Sequence, residues 1–172
     1  MDRSDREYDE FVRSRTPALL RLAYLLTGDQ HLAEDLVQTA LARTHQAWNR
    51  LRAVGNAEAY TRRTMYHLQV SWWRRPRVAE SRLAEVPERI DPTDPSDRVA
   101  MRATLRQALL RLTASQRAVL VLRFYEDRSE AETAEILGVS VGTVKSQTAR
   151  ALERIRAAAP ELADLYWIGG AR

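Results

Sequence analysis

Residues 129–156 read SEAETAEILGVSVGTVKSQTARALERIR. Ser129 with Glu132 three residues later forms a capping box, which predicts the start of a short helix. Gly138 follows where a tight turn favours a positive φ. Ser140, two residues further on, is placed to cap another helix. The stretch therefore predicts two helices joined by a tight turn.

The small and apolar residues of this stretch predict how the two helices pack. Ala134 is small where a second helix must cross closely. Val144, six residues after Gly138, is placed to lie buried between the helices, and Leu152 and Ile155 continue its inward face. These offsets are typical of a helix-turn-helix. The predicted helices are Glu130–Leu137 and Val141–Ala158.

The opposite face of the second helix carries groups that DNA recognition uses. Lys145 or Arg150 can donate to guanine O6 and N7, and Ala149 can contact the methyl group of thymine. A plain helical hairpin with a solvated Arg-rich face is the alternative. We favour DNA binding because three steric constraints and two caps coincide. The predicted DNA-binding residues are Thr143, Lys145, Ser146, Gln147, Ala149, Arg150 and Arg154.

The rest of the chain also has helical periodicity, with six glycines and no Asn-Gly or Asp-Gly hairpin signal. A first helix is predicted at 5–14, followed by a segment that Thr16 caps and Pro17 begins. Gly28 ends that segment, and Asp29 caps the next one. Further predictions are helices at 31–48, 57–75, 98–111 and 115–125, with Asn56 capping the second and a loop at 49–55.

Residues 76–97 hold four of the six prolines, among mostly charged or small residues. Such a segment cannot bury a core and predicts a linker. We therefore expect an all-α protein with two small helical domains. The predicted parts are a domain at 1–78, an acidic linker at 79–97, a domain at 98–158 and a C-terminal extension at 159–172.

Composition excludes several classes of protein. The 172 residues include no cysteine, which excludes disulfides, cysteine nucleophiles and thiolate zinc sites. No apolar run approaches the length that crosses a membrane, and the N-terminus lacks a signal segment. His31, His45 and His67 lack metal-ligand spacing, and no Gly-rich phosphate loop is present. We expect a cytoplasmic protein without membrane insertion that is not an enzyme and has no cofactor or metal.

The net charge of +4 is unevenly distributed along the chain. Residues 56–78 have five basic residues against one acidic residue, and residues 101–159 have ten against six. Between them, residues 79–100 have six acidic residues against three basic ones. Two separate basic blocks suit a polyanion contacted at two places. Solvated helix faces account for the same total equally well.

Two features of the first domain have more than one interpretation. Trp72 and Trp73, with Arg62 and Arg63 earlier in the same helix, suit single-stranded DNA whose bases stack on rings, and the preceding loop suits an extruded base. Adjacent residues cannot share one face, so residue physics favours burial of at least one tryptophan. The segment at 34–38 alternates acidic and apolar residues, which is ordinary for a solvated amphipathic helix.

Together, these segments resemble the bacterial extracytoplasmic-function (ECF) sigma factors, which are two-domain specificity subunits of RNA polymerase. The resemblance covers nearly the whole chain. SQTAR, at 146–150, is similar to a SigE-like subgroup of these factors. The stretches that carry the resemblance are LLTGDQHLAEDLVQTALARTHQAW (25–48), AYTRRTMYHLQVSWWRR (59–75) and LTASQRAVLVLRFYEDRSEAETAEILGVSVGTVKSQTARAL (112–152).

The resemblance implies two surfaces on the first domain, which corresponds to sigma region 2. One surface docks on the clamp helices of the polymerase β′ subunit and comprises Glu34, Asp35, Leu36, Val37, Gln38 and Leu41. The other opens and reads the −10 promoter element and comprises Asn56, Tyr60, Arg62, Arg63 and His67. The acidic linker is implied to thread near the polymerase active site and RNA exit channel.

The second domain corresponds by resemblance to sigma region 4, whose helix at 145–154 reads the −35 element. Many relatives carry Arg in place of Gln147 and a bulky residue near Ala149, so fewer charged contacts or different preferred bases are expected. The implied partners are core RNA polymerase, including its β subunit, promoter DNA and an anti-sigma factor. An active factor of this kind associates with the nucleoid.

Two alternatives stay open. The C-terminal residues Leu162, Leu165, Tyr166 and Trp167 are expected to fold back as an apolar cap, with a regulatory contact as the second interpretation. The whole chain could instead be a stand-alone helix-turn-helix regulator with a helical sensing domain in front. Such a regulator binds duplex DNA alone, usually as a dimer on paired half-sites. In that model, the helix at 34–41 and the helix that contains the Trp and Arg residues have no evident function.

Overall fold

The computed structural model describes residues 3–53, 55–74 and 96–160, and every regular element in these ranges is helical. The chain divides between Glu80 and Ser81 into two compact units. The prediction of an all-α protein is confirmed. The helices of the first unit are α1 (Arg3–Thr27), α2 (Gln30–Gln46), α3 (Trp48–Ala53) and α4 (Ala57–Arg74).

The core of the first unit lies where α1, α2 and α4 pack together. Helix α1 contributes an apolar stripe at helical spacing, and its four side chains are fully buried. Burying each leucine of this stripe contributes about 1.5–3 kcal/mol. The stripe comprises Leu19, Leu22, Ala23 and Leu26, and its neighbours in the core include Leu36, Val37, Ala40, Met65 and Tyr66.

Helix α1 is continuous, so the predicted break at Thr16 is wrong. Pro17 lies inside the helix, and the hydroxyl of Thr16 donates to the carbonyl oxygen of Val12 at 2.7 Å instead of capping a new helix. A proline inside a helix costs about 3 kcal/mol. Burial of the apolar stripe beyond Pro17 offsets this cost, because the stripe reaches the core only if the helix continues.

The predicted boundary between α2 and the following loop is also wrong. Helix α2 ends at Gln46, and most of the predicted loop forms the short helix α3. Contacts with the start of α1 hold α3 in place. The indole Nε1 of Trp48 donates to the carbonyl oxygen of Ser4 at 3.1 Å, and Arg52 Nη1 lies 2.8 Å from Glu7 Oε2. Sequence periodicity does not detect such distant partners.

Several helix ends in the first unit match the predictions. Gly28 ends α1 with a φ of +71°, and the carboxylate of Asp29 accepts a hydrogen bond from the Leu32 amide at 2.9 Å. Helix α4 begins at Ala57, as predicted. The turn between α1 and α2 is therefore set by a left-handed glycine and an aspartate cap.

The helices of the second unit are α5 (Ser96–Leu110), α6 (Ala114–Leu120), α7 (Glu130–Leu137) and α8 (Val141–Ala158). Helices α7 and α8 have the predicted bounds. The predicted helix at 115–125 begins one residue earlier and changes to a π-helical segment at Val121–Tyr125. A capping box between Thr113 and Gln116 fixes its start, a signal that the sequence analysis missed.

Arg117 of α6 is buried in the second unit, with only 1% of its surface exposed. Its Nε donates to the carbonyl oxygen of Leu109 at 2.9 Å. Its Nη2 donates to the carbonyl oxygens of Leu110 and Leu112, at 3.4 and 3.2 Å. The guanidinium thus satisfies carbonyls at the end of α5 and in the connection that follows it. Burial lowers the pKa of Arg117 to about 10, so the group is charged at neutral pH.

Three predictions fall partly or wholly outside the described residues. They concern the linker at 79–97, of which only Ser96 and Asp97 are described, as the start of α5. They also concern the side chains of Trp72 and Trp73 and the apolar cap at 162–167. None of the described helices combines the length and apolar character that crossing a membrane requires.

Candidate nucleic-acid interface

The helix-turn-helix begins at a reciprocal cap on α7. The Ser129 hydroxyl accepts from the Glu132 amide at 3.1 Å, and Glu132 Oε2 accepts from the Ser129 amide at 2.8 Å. The backbone and hydroxyl hydrogen bonds from Ser129, with a smaller contribution from Arg128, lower the pKa of the Glu132 carboxyl. The predicted capping box is confirmed, and it fixes the first turn of α7.

Gly138 and Ser140 form the turn, as predicted. Gly138 has a φ of +67° and a ψ of +38°, which is the left-handed conformation that ends α7. A Cβ at this position would have open space around it, so the need for glycine comes from the backbone conformation and not from a clash. The Ser140 hydroxyl then accepts from the Thr143 amide at 3.0 Å and caps α8.

Helix α8 packs on α6 and α7 through its inward face. Val144 is fully buried and lies in one cluster with Val119 and Ala134, which confirms the small crossing residue. Ala151 occupies the next innermost position and is also fully buried. Leu152 is only half-buried, so its predicted inward position is wrong. Two turns of helix separate Val144 from Ala151, and a residue one position later is rotated by about 100°.

The outward face of α8 presents most of the predicted DNA-binding residues. Lys145, Ser146, Ala149, Arg150 and Arg154 are all exposed. Two further residues have different surroundings. Thr143 is exposed, and its hydroxyl lies 2.9 Å from that of Ser140, whereas Gln147 is half-buried. The exposed side of this capped helix therefore carries three cations, of which Arg150 and Arg154 lie one turn apart.

One of these cations has an acidic neighbour on α7. Lys145 Nζ lies 3.7 Å from Glu130 Oε2, and both side chains are partly exposed. Within the described part of the chain, Arg150 and Arg154 have no such ion pair. The pairing of Glu130 with Lys145 cannot be predicted from spacing, because residues fifteen apart on different helices leave no periodic signal.

A second exposed stripe runs along α4 in the first unit. Arg63 and His67 are exposed and lie one turn apart, with Asn56 exposed just before the helix. Residues at this spacing share one helix face. The same face also includes two exposed residues that the sequence analysis missed, Ala59 and Ser71.

Arg62 and Tyr60, which were also predicted to contact the −10 element, lie beside this stripe and are held by neighbouring side chains. The Nε and Nη2 of Arg62 both lie 3.0 Å from Glu58 Oε1, and Arg15 Nε lies 3.2 Å from the other carboxylate oxygen. Tyr60 is half-buried and packs against the cluster that contains Trp48. The spacing of Glu58 and Arg62 on one helix is a signal from which this pair can be predicted.

Comparison with known proteins identifies both units. Residues 11–78 match Sigma-70 region 2, and residues 102–155 match Sigma-70 region 4. The RNA polymerase sigma-E factor of Streptomyces coelicolor is 44% identical over 150 residues, which cover 87% of this chain and 84% of that protein. The ECF RNA polymerase sigma factor SigL of Mycobacterium tuberculosis is 31% identical over 163 residues, which cover 90% and 88%.

The chain is an ECF sigma factor. It acts in promoter-specific initiation of transcription, and its partners are core RNA polymerase and promoter DNA. The region 2 match contains α2 and α4, and the region 4 match contains α7 and all of α8 except its last three residues. The predicted family is confirmed, and the stand-alone regulator is not favoured.

The α2 surface of this sigma factor combines exposed polar residues with core residues. Leu36 and Val37 are buried in the core of the first unit, and Leu41 is 9% exposed. Asp35 and Gln38 are exposed, and the half-buried Glu34 accepts a hydrogen bond from Gln30 at 3.1 Å. Of the six residues predicted to bind polymerase, these three polar ones form the accessible part.

Proposed function

We propose that the sigma factor reads promoters with two surfaces, the outward face of α8 on the −35 element and the exposed stripe of α4 on the −10 element. The observation that carries this proposal is the capped helix-turn-helix with three cations on its outward face. Every cap that the turn needs is satisfied inside the protein, so the face is preorganised for the major groove. The domain at 98–158 therefore acts on the −35 element and the domain at 1–78 on the −10 element, and the linker at 79–97 joins them.

At the −35 element, the chemistry of α8 assigns different tasks to different residues. Lys145 and Arg150 donate to guanine O6 and N7, and Ala149 contacts a thymine methyl group. Ser146 adds a hydroxyl that serves as donor or acceptor. Arg154, one turn beyond Arg150, is placed to neutralise a phosphate. Thr143 and Gln147 lie at the edges of this face and contact the sugar-phosphate backbone of the DNA.

At the −10 element, Arg63 and His67 meet the unpaired strand as the duplex opens. Asn56 lies at the N-terminal end of the same stripe, where a base displaced from the stack would arrive. Extruding a base costs a few kcal/mol, which contacts with its edge and phosphates repay. Arg62 and Tyr60 support the stripe from inside, through the ion pair with Glu58 and the packing against the Trp48 cluster.

The contact with the clamp helices of the polymerase β′ subunit is made by the accessible residues of α2, which are Glu34, Asp35 and Gln38. Leu36, Val37 and Leu41 contribute by anchoring that helix in the core. The β subunit is a further contact. The sigma factor itself performs no chemical step, and it binds no cofactor. It acts in the cytoplasm at the nucleoid, and an anti-sigma factor holds it inactive by covering both units.

Reconstitution with core polymerase tests the proposal as a whole. The purified chain is mixed with core enzyme that lacks a sigma subunit, followed by gel filtration and transcription from a promoter library. Co-elution and initiation at a defined set of −35/−10 pairs are expected. Asp35→Asn should weaken co-elution, whereas Glu10→Gln, which removes an exposed acid on α1, should not. Tight duplex binding without polymerase binding would instead support the stand-alone regulator.

Substitutions on α8 test the reading face. Lys145→Ala and Arg150→Ala should each weaken promoter use by about 1–3 kcal/mol at particular −35 base pairs. Arg111→Ala removes an exposed cation from the connection between α5 and α6, outside α8, and serves as the matched control. The measurement is transcription from promoters with every single substitution in the −35 element. Unchanged −35 dependence in both test variants would show that the reading face is placed wrongly.

A further inference from the structure

Lys145 is the only lysine of the chain, and its ammonium group faces a carboxylate within its own domain. The distance from Lys145 Nζ to Glu130 Oε2 is 3.7 Å. The Lys145 side chain is 64% exposed and that of Glu130 is 37% exposed. The ammonium group that is placed to contact DNA therefore already forms an ion pair with a carboxylate on the neighbouring helix.

The backbone position of Glu130 is well determined by its surroundings. Glu130 is the first residue of α7, where a negative charge is favoured by the helix dipole. The capping box of Ser129 and Glu132 fixes this turn, while Gly138 and Ser140 set how α8 leaves α7. The first turn of α7 thus keeps the carboxylate of Glu130 within reach of Lys145.

We infer that Glu130 attenuates the contribution of Lys145 to promoter recognition by competing with DNA for its ammonium group. This inference rests on the proposed −35 surface. DNA must replace the carboxylate before Lys145 donates to a guanine or a phosphate. Part of the free energy of the new contact is spent on breaking the old one, so Lys145 adds less affinity and less base preference than an unpaired cation would. Among the residues that the structure describes, no acid restrains Arg150 or Arg154 in this way.

The size of the effect follows from the strength of exposed ion pairs. Such pairs contribute up to about 1 kcal/mol, which corresponds to about a fivefold change in an equilibrium constant. Glu130→Gln should therefore lower the half-saturating concentration of holoenzyme about two- to fivefold. The penalty for changing the base pair that Lys145 reads should increase in the same variant, because a freed ammonium group discriminates more strongly.

The test uses holoenzyme formed from the full chain and core polymerase, and it measures open-complex formation on a promoter duplex with an intact −35 element. The variants are Glu130→Gln, Lys145→Ala, and the double variant. Glu135→Gln is the matched control, because it removes an exposed acid from the same helix without an ion pair to Lys145. Circular-dichroism melting verifies that each variant is folded.

Two results together support the inference. Glu130→Gln should strengthen binding more than Glu135→Gln does, and it should have no effect when Lys145 is already alanine. An equal gain in the two glutamate variants, or a gain that persists in the double variant, would overturn the inference and assign the effect to general charge. If Lys145→Ala leaves −35 dependence unchanged, the reading face itself is misplaced and the inference fails with it.

Discussion

The polar contacts that fix the helices act over different distances in the two units. In the helix-turn-helix, the caps of α7 and α8 join residues three apart, as in the pair Ser129 and Glu132. In the first unit, the hydroxyl of Tyr8 donates to the Leu41 carbonyl at 2.8 Å, across 33 residues. The buried amide of Gln69 donates to the Leu26 carbonyl at 2.7 Å, across 43 residues.

This difference separates a locally determined element from one that depends on tertiary packing. The turn of the helix-turn-helix is specified by neighbours in the chain, so its geometry is set as soon as its two helices form. The first unit also has a local cap at Asp29, but Tyr8 and Gln69 reach their partners only when its helices pack together. Arg117 is an intermediate case, because its carbonyl partners lie five to eight residues away, at the end of α5 and in the connection that follows it.

Arg117 gives the largest expected change in stability. Arg117→Met should destabilise the second unit by about 3 kcal/mol, because three carbonyls lose a charged donor in a buried site. Arg111→Met, an exposed arginine in the connection between α5 and α6, should change stability by less than about 0.5 kcal/mol. Chemical denaturation gives the free energies, and hydrogen exchange should show the loss in α5 and α6. Equal effects of both variants would contradict the buried-donor role.

The corresponding change in the first unit is Gln69→Leu. It should cost about 1–3 kcal/mol, because the Leu26 carbonyl at the end of α1 loses its buried donor. Gln46→Leu changes an exposed glutamine at the end of α2 and should have a small effect. Faster amide exchange at the end of α1 is the expected local signature. If Gln69→Leu left the free energy of unfolding unchanged, the long-range hydrogen bonds of the first unit would contribute less to its stability than we infer.

Two buried threonines should respond with opposite signs. The Thr133 hydroxyl is buried in α7, and no hydrogen-bond partner lies near it among the described residues, so Thr133→Val should stabilise the second unit by about 1 kcal/mol. Thr61 donates to the Ala57 carbonyl and lies 2.8 Å from Thr44 Oγ1. Thr61→Val should therefore destabilise the first unit by about 1 kcal/mol. Thermal melting of both variants gives the signs, and the same sign for both would refute this assignment.

The smallest expected effect is a pH dependence in the cap of α7. Because the Glu132 carboxyl has a folded-state pKa below its ordinary value of 4.5, its contribution is present above that value. The contribution is lost as the pH falls below 4.5 through the folded-state pKa. Glu132→Gln keeps a hydrogen-bonding cap without the titration. The melting temperature of this variant should depend less on pH in this window than that of the unmodified chain. Identical plots of melting temperature against pH would contradict the lowered pKa of the Glu132 carboxyl.

Prediction from sequence succeeded where the determining residues are close together in the chain. The glycine at 138, the serine caps of α7 and α8 and the bounds of both helices followed from spacing, because a cap acts within three residues. It failed at Pro17, where local propensity favoured a break. It also failed around Trp48, whose hydrogen bond to Ser4 makes part of the expected loop helical.

The candidate sites divide in the same way. The outward cations of α8 were predicted from helical spacing, and the exposed pair Arg63 and His67 from the resemblance to the ECF sigma factors. The pairing of Lys145 with Glu130 and the burial of Arg117 were not, because an isolated arginine or glutamate in a sequence is typical of a solvated helix face.

The sequence by itself determined the all-α class, the helix-turn-helix with its caps, and the family, because each of these depends on residue types at short, fixed spacing. The tertiary structure alone decided that α1 continues through Pro17 and that Trp48 begins a helix. It also decided that Arg117 is enclosed and that Lys145 faces an acid. These outcomes depend on groups from different helices meeting in a core or at a crossing, where burial and pairing outweigh local preference.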